Sequence, residues 1–493
     1  MNYDTLALLR TRFRADWLVN VRVELLAGLV VAIALIPEAI SFALLAGVDP
    51  AAGLWASVAI AMTLAIVGGR PGMISAATGA MALVVAPLVA THGAQYLFAA
   101  AILAGAIQIG LGALGVSRLM RFVPRPVMVG FVNALAILIF AAQLPHFIHG
   151  PLAVYAIVVI GLAVIWLLPR LTRAIPSPLV AIVMLTGSVV LLGLDVPLVK
   201  DMGELPLTLP GFGLPVVPFT LETLQIIAPY AFTLAIVGLI ESLLTAQLID
   251  DKTSTFSNKP AECRGQGIGN IFAGLIAGMP GCAMIGQSMI NVAAGGRTRL
   301  SSFTSGAFLL VLLLALGGIV GAIPVAALVA VMIVVAVSTF DWASIKLSTL
   351  RREPRAEIAV MGATVAVVVL TDNLAFGVAA GVTLSAIFFA RRIAKLVDIQ
   401  STIDPSGARV YVIRGQLFFV SAAAFQHAFD HDCEANVVID LTHAHVWDSS
   451  AVASLDSLVA RLESGGRHVR IIGLNPHSAA LHARLTGQLA AEG

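Results

Sequence analysis

From about residue 23 to about residue 397 the chain is a succession of apolar blocks, most of them long enough to cross the ~30 Å hydrocarbon core of a bilayer. A membrane interior offers backbone N–H and C=O groups no water. Blocks of this kind therefore become helices, whose hydrogen bonds close within the segment. There are about fourteen such blocks. They run roughly over 23–46, 52–68, 73–91, 94–116, 124–143, 151–168, 178–194, 223–249, 265–279, 281–295, 302–321, 324–340, 356–371 and 374–394. The third and tenth are rich in glycine and short of apolar residues, so their limits are weakly marked. Charged residues make up 11% of the 493, against about 25% in a soluble chain. The expectation is a multi-pass membrane protein that is not an enzyme, needs no cofactor or metal and binds no nucleic acid.

The net charge of +2 says little, but the placement of Lys and Arg says more. With fourteen spans and the N-terminus inside, about twenty-two of the 29 fall on one face, among them Arg22, Arg70, Arg118, Arg170, Arg297, Arg299, Arg351 and Arg352. Arg391 and Arg392 close the last block on that same face, and only Lys200 falls on the other. The cationic face is cytoplasmic, which puts both termini inside a plasma (inner) membrane and supports an even span count. The first block is too long for a signal peptide and lacks a cleavage site, so it reads as a span. Cys263, Cys282 and Cys433 are scattered and fit no zinc or disulfide spacing.

Two blocks carry one glutamate each at matching places, Glu38 after Pro37 and Glu241 after Ile240. A carboxylate in mid-membrane costs roughly 3 kcal/mol, so it usually has a function. The chain divides at the Pro/Gly-rich stretch 195–222. One offset maps Glu38 onto Glu241; similar offsets map the helix start at Pro124 onto Pro324 and the Gly-rich stretch 72–80 onto 278–283. Seven spans per half is an odd number, so the halves enter from opposite sides as inverted repeats. The expected domains are a cytoplasmic segment 1–22, repeat 1 over 23–195, repeat 2 over 222–397, and a soluble unit 398–493. In that last unit, strands at 409–420, 435–442 and 468–474 alternate with helical stretches, which reads as a small α/β domain. His443 and His445 lie in it without further residues to complete a metal site. His92, His146 and His149 fall in outer loops.

Several motifs resemble the sulfate permease family of anion transporters, also called solute carrier family 26. Pro37-Glu38-Ala39-Ile40-Ser41 is similar to its Pro-Gln-Gly-Met-Ala stretch. Pro50-Ala51-Ala52-Gly53-Leu54-Trp55-Ala56-Ser57 is similar to Pro-x-x-Gly-Leu-Tyr-x-Ser, and Asn291 to Thr298 to its Asn-x-x-x-Gly-Ala-Lys-Thr run. Asp448-Ser449-Ser450-Ala451 resembles the Asp-Ser-Ser-Gly turn of the STAS domain, which sulfate transporters share with anti-sigma-factor antagonists. The resemblance covers nearly the whole chain. It implies a core of spans 1–4 and 8–11 against a gate of spans 5–7 and 12–14, and a homodimer. Spans 3 and 10 begin as extended segments and become half-helices. Their N-termini meet as an anion site built of partial charges and free N–H groups. On that reading the substrate is held by Thr78, Gly79 and Ala80 of span 3 and by Gly286, Gln287 and Ser288 of span 10.

Two departures matter. Many relatives have Ser-Arg-Ser where this chain has Gly286-Gln287-Ser288, so a fixed positive charge is gone. Many have a neutral glutamine where Glu38 stands. An anion held by dipoles alone favours a cation as companion, and a proton on a desolvated carboxyl group supplies one. Glu38 is thus the expected proton-coupling residue, the structural alternative being an acid bonded to backbone at Pro37. Some bicarbonate-transporting relatives hold sodium with an acid at the place of Glu241 and a threonine one turn later, which is Thr245 here; a structural link between spans 1 and 8 is the alternative. Gln287 and Ser288 could instead satisfy backbone at the break, and Cys282 reads as a small apolar filler. Ser450 is a candidate phosphorylation site, against a helix cap by Asp448 or Ser449.

The function expected is proton-coupled symport of a C4-dicarboxylate such as fumarate. Sodium-coupled bicarbonate transport, proton-coupled sulfate transport, an anion channel and a membrane-anchored scaffold acting through its tail are the alternatives. The expected partners are the anion, the coupling proton or sodium, the lipid membrane and a cytoplasmic protein on the tail.

Overall fold

The computed structural model describes residues 14, 16–118, 123–146, 151–171, 176–203, 209–371, 373–394, 397–421, 425, 429 and 435–486. His149 and Cys433 lie outside them. Contacts divide the chain into a unit Met1–Val382 and a unit Thr383–Gly493.

The membrane unit reads as two passes through one plan. The first pass is α1 (Val21–Ala46), α2 (Pro50–Val67), β1 (Ser75–Ala77), α3 (Gly79–His92), α4 (Ala94–Ala113), α5 (Arg125–Ala141), α6 (Leu152–Leu171) and α7 (Ser177–Leu192). The second is α8 (Leu221–Thr253), α9 (Lys259–Leu275), β2 (Gly281–Ala283), α10 (Ile285–Ala293), α11 (Arg299–Gly321), α12 (Val325–Thr339), α13 (Arg355–Thr371) and α14 (Leu374–Ala394), with one helical turn at Leu347–Leu350. Proline opens several of these helices, where its fixed φ fits and no N–H is needed. Pro50 lies in the first turn of α2 and Pro260 in that of α9, while Pro124 and Pro324 are the N-caps of α5 and α12.

By length and composition α1, α2, α4, α6, α8 and residues Leu374–Ile393 of α14 can cross a membrane. Helices α3, α5, α7, α12 and residues Arg299–Ala315 of α11 are apolar but shorter. The third and tenth blocks are short because each spends residues on a strand. Helix α3 has 14 residues and α10 has 9. Strands β1 and β2 pair antiparallel, Ser75 with Ala283 and Ala77 with Gly281, as a two-fold axis between them requires.

Packing separates two helix groups. Helices α1, α2 and α4 lie against α8, α9 and α11, and α5 and α6 lie against α12 and α13. In the first group α4 and α9 touch backbone to backbone. A Cβ on Gly105 would clash with the Gly267 carbonyl oxygen, and the converse holds. Without a hydrophobic drive in lipid, such small-residue crossings are how membrane helices gain contact.

The second unit holds a four-stranded sheet in the order β3-β4-β5-β6, formed by Asp398–Ile403, Arg409–Leu417, Asn436–Val446 and His468–Ile472. The β3–β4 pair is antiparallel and the other two pairs are parallel. Alternation along β5 buries Val437, Ile439 and Leu441 against Leu455, Leu458 and Leu462 of α15 (Ser449–Ser464). A last helix, α16 (Pro476–Leu485), follows β6. Strand β3 was not expected from the sequence; it is exposed along most of its length and lacks the alternation that marks a strand.

The cap of α15 is Asp448. Its carboxylate accepts from Ala451 N–H at 2.9 Å and from Phe419 N–H at 2.8 Å. Asp448→Ala is expected to weaken this helix start by about 1–2 kcal/mol. Amide hydrogen exchange around residue 451 of the intact protein measures it; unchanged exchange would remove the cap from the account.

Candidate functional site

The site is organised by backbone that no helix satisfies. Strands β1 and β2 are fully buried, and their free N–H and C=O groups need partners at membrane depth. Short polar side chains supply them. Ser57 Oγ accepts from Ala77 N–H at 3.3 Å and Ser242 Oγ from Ala283 N–H at 3.1 Å. Asn270 accepts from Gly281 N–H at 2.8 Å and donates to its carbonyl at 3.1 Å, while its amide also reaches Gln108 Oε1 at 2.9 Å. Ser288 Oγ accepts from Ile74 N–H at 3.0 Å, and Ser302 Oγ donates to the Met73 carbonyl at 3.0 Å. Ser57, Ser242, Asn270, Gln108 and Ser302 did not stand out in the sequence. Their signal was available: polar residues inside apolar blocks.

Helix α3 starts after Thr78 and α10 after Met284, and neither N-cap side chain closes on its own helix. Each helix therefore keeps first-turn N–H groups and its positive dipole end for another partner. The two ends differ in access. A Cβ on Gly286 would meet nothing within 4 Å, and the residue is exposed. A Cβ on Gly79 would lie 2.8 Å from Phe42 Cε1 and 3.1 Å from Ile139 Cδ1. Thr78 and Ala80 are buried with it, at 3% and 1% exposure.

Glu38 reaches the half-helix of the other repeat directly, and Glu241 comes to it through Cys282 of its own repeat. Glu38, half-buried in α1, accepts from Gln287 Nε2 at 2.9 Å. Gln287 is itself buried, and its Oε1 has no hydrogen-bond partner among the described residues. Glu241 is 7% exposed on α8, and its Oε2 lies 2.8 Å from Cys282 Sγ. That sulfur lies 3.1 Å from Thr78 Oγ1, the N-cap of α3. Cys282, expected as an apolar filler, is therefore a polar bridge. Its β2 position points it between a carboxylate and a hydroxyl.

Not every candidate faces the gap. Thr245 Oγ1 donates to the Glu241 carbonyl of its own helix at 2.8 Å, and the Ser288 hydroxyl is engaged by Ile74. Ser450 is exposed in the first turn of α15.

A second polar layer ties the repeats together away from the half-helix heads. Glu24 accepts from Arg297 N–H at 2.7 Å and Thr298 N–H at 3.1 Å. Glu262 accepts from Gly69 N–H at 2.7 Å and Arg70 N–H at 3.0 Å. Arg70 pairs with Asp250 at 3.1 Å and donates to Thr253 Oγ1 at 2.6 Å. These contacts hold the segments leading into β1 and α11.

The sequence matches the Sulfate permease family over residues 21–154 and 148–361 and the STAS domain over 399–488. It is 54% identical to the "Putative sulfate transporter YbaR" of Bacillus subtilis (strain 168), over 95% of this chain and 98% of that one. It is 27% identical to the "Bicarbonate transporter BicA" of Picosynechococcus sp. (strain ATCC 27264 / PCC 7002 / PR-6), over 92% and 89%. Among solved structures, the transmembrane domain of a cyanobacterial bicarbonate transporter BicA matches 73% of this chain and 97% of that one, at TM-score 0.65 and 29% identity. The inward-facing murine Slc26a9 anion transporter matches 96% and 88%, at TM-score 0.80 and 17% identity, a likeness of fold alone.

Proposed function

Because the chain belongs to the sulfate permease family and is thereby a membrane-spanning anion transporter, we propose that it is a proton-coupled symporter whose substrate class is a C4-dicarboxylate such as fumarate. The observation that carries this reading is the bond between Glu38 and Gln287 at the head of α10, beside a Gly286 that borders open space. The anion sits at the free N–H groups of α10 and α3, with Gly286 and Gln287 on one side and Thr78, Gly79 and Ala80 on the other. Ser288 shapes the turn rather than touching the ligand. Ionised, Glu38 sets a negative charge next to the anion and disfavours it. Protonated, it becomes a neutral neighbour that can donate a hydrogen bond. Proton and anion therefore load together.

A second reading, bicarbonate transport, is favoured by the BicA relatives. Uptake of labelled fumarate, sulfate and bicarbonate into proteoliposomes, with and without an imposed pH gradient, separates the two. Fumarate accumulation that follows the pH gradient supports the first reading; sodium-driven bicarbonate uptake replaces it with the second.

The orientation proposed has both termini in the cytoplasm. Lys200 lies exposed in a short helical turn between α7 and α8. It is expected to react with impermeant amine reagents applied outside intact cells. Labelling only after permeabilisation would invert the topology.

A further inference from the structure

We propose that Cys282 is a hydrogen-bond switch through which protonation of Glu241 decides whether the Thr78 hydroxyl is offered to the anion. The inference rests on the anion site proposed above and adds a positioning residue to it.

The geometry is a chain of three polar atoms: Glu241 Oε2, Cys282 Sγ at 2.8 Å, and Thr78 Oγ1 a further 3.1 Å on. Cys282 is 0% exposed and Thr78 3% exposed, so no solvent intervenes. Cys282 is fixed at the centre of β2, opposite Ala76. Thr78 does not spend its hydroxyl on capping α3, which is the usual use of a threonine at that position. A buried filler needs none of this. A thiol between an acid and a hydroxyl has both a donor and an acceptor role available.

The ionised acid sets the first arrangement. An ionised carboxylate only accepts, so the Cys282 S–H points at Glu241. The sulfur then has only lone pairs left for Thr78, and the Thr78 O–H points at the sulfur. What the hydroxyl presents elsewhere is lone pairs, which repel an anion at the head of α3. When Glu241 takes up a proton from solvent, its O–H donates to the sulfur. The S–H rotates to Thr78 Oγ1, and the Thr78 O–H is released to donate to the anion. The chain holds two protons in the first state and three in the second. Only hydrogens turn; no covalent bond between heavy atoms changes. By reciprocity, a bound anion favours the protonated form of Glu241, which takes up and returns its proton on one side of the membrane and so tunes binding without driving accumulation.

The surroundings leave this pairing uncontested. Helix α8 packs against α3, α4, α9, α10 and β2. Their titratable or charged residues are His92 on α3, Tyr96 on α4, Lys259, Glu262, Cys263 and Arg264 on α9, and Cys282 on β2; α10 has none. Glu262 is held by Gly69 and Arg70, and Cys263 packs against Leu239 and Leu243. Glu38 on α1 engages Gln287. Of α8's own acids, Asp250 pairs with Arg70.

The arrangement also completes a symmetry. Glu38 acts directly on Gln287 of α10, and Glu241 acts through Cys282 on Thr78 of α3. Each repeat's acid thus addresses the other repeat's half-helix.

The test is infrared difference spectroscopy of the S–H stretch in purified full-length protein without substrate. One band is expected to vanish in Cys282→Ala and to shift between two positions as pH crosses the titration of Glu241. Glu241→Gln, whose amide donates to the sulfur, is expected to lock that band at its low-pH position. A band that ignores pH, or that still moves in Glu241→Gln, overturns the proposal. Because no substrate is present, that outcome leaves the transport reading standing. In proteoliposomes with fumarate as probe, Cys282→Ser keeps both roles and is expected to retain the pH profile of KM. Thr78→Val is expected to raise KM about tenfold at low pH and little at high pH, since it removes one charge-assisted hydrogen bond. A uniform KM change at all pH values would reduce Thr78 and Cys282 to structural parts.

Discussion

Glu38→Gln is expected to bind substrate and exchange it across the membrane, yet fail to concentrate it. The substituted amide oxygen can accept the same bond from Gln287 Nε2 that the carboxylate accepts at 2.9 Å, so the contact that positions α10 is kept. What is lost is the ability to gain and release a proton. A gradient of one pH unit supplies about 1.4 kcal/mol per proton, enough for roughly tenfold accumulation. In the variant that accumulation falls to about one while counterflow of labelled against unlabelled substrate persists. Accumulation that still follows the pH gradient would send the proton by another route, with Glu241 the next group to examine.

Gly286→Val is expected to remove uptake while leaving the fold intact. Among the described residues nothing lies within 4 Å of the position its Cβ would take, so the new side chain starts in open space. The side chain instead fills the space through which an anion approaches the first-turn N–H groups of α10. Hydrogen bonds to a charged ligand contribute about 1.5–3 kcal/mol each, so losing even one or two implies a drop of roughly 100-fold in binding. Expression and Tm are expected to match the wild type. Gly79→Val in the other half-helix is a poorer probe, since its Cβ would press on Phe42 at 2.8 Å and on Ile139 at 3.1 Å. Wild-type uptake by Gly286→Val would place the substrate elsewhere.

The contrast between these two glycines shows how legible the site was. Both lie in the first turn of a half-helix, Gly79 first in α3 and Gly286 second in α10, and both stretches are Gly-rich in the sequence. Phe42 and Ile139 distinguish them, and these lie on α1 and α5, far from either glycine in the chain. Cys282 is a similar case. Among Gly281, Ala283 and other small residues it looks like one more of them. Only the approach of α8 and of Thr78 gives the thiol two polar neighbours.

The sequence by itself determined the multi-pass helical class, the family, the repeated plan with one acid in each half, and the mixed α/β unit at the end. Each of these rests on local or periodic information: block length against bilayer thickness, proline at helix starts, alternation in strands, motifs in order. Tertiary structure alone decided which groups meet. The Glu38–Gln287 bond spans 249 positions and the Thr78–Cys282 contact 204. So did the satisfaction of β1 and β2 by Ser57, Ser242 and Asn270. The physical reason is that a backbone break in a membrane must be paired by whatever the packing of distant helices brings to it. No periodicity within one helix records what the other helices will bring.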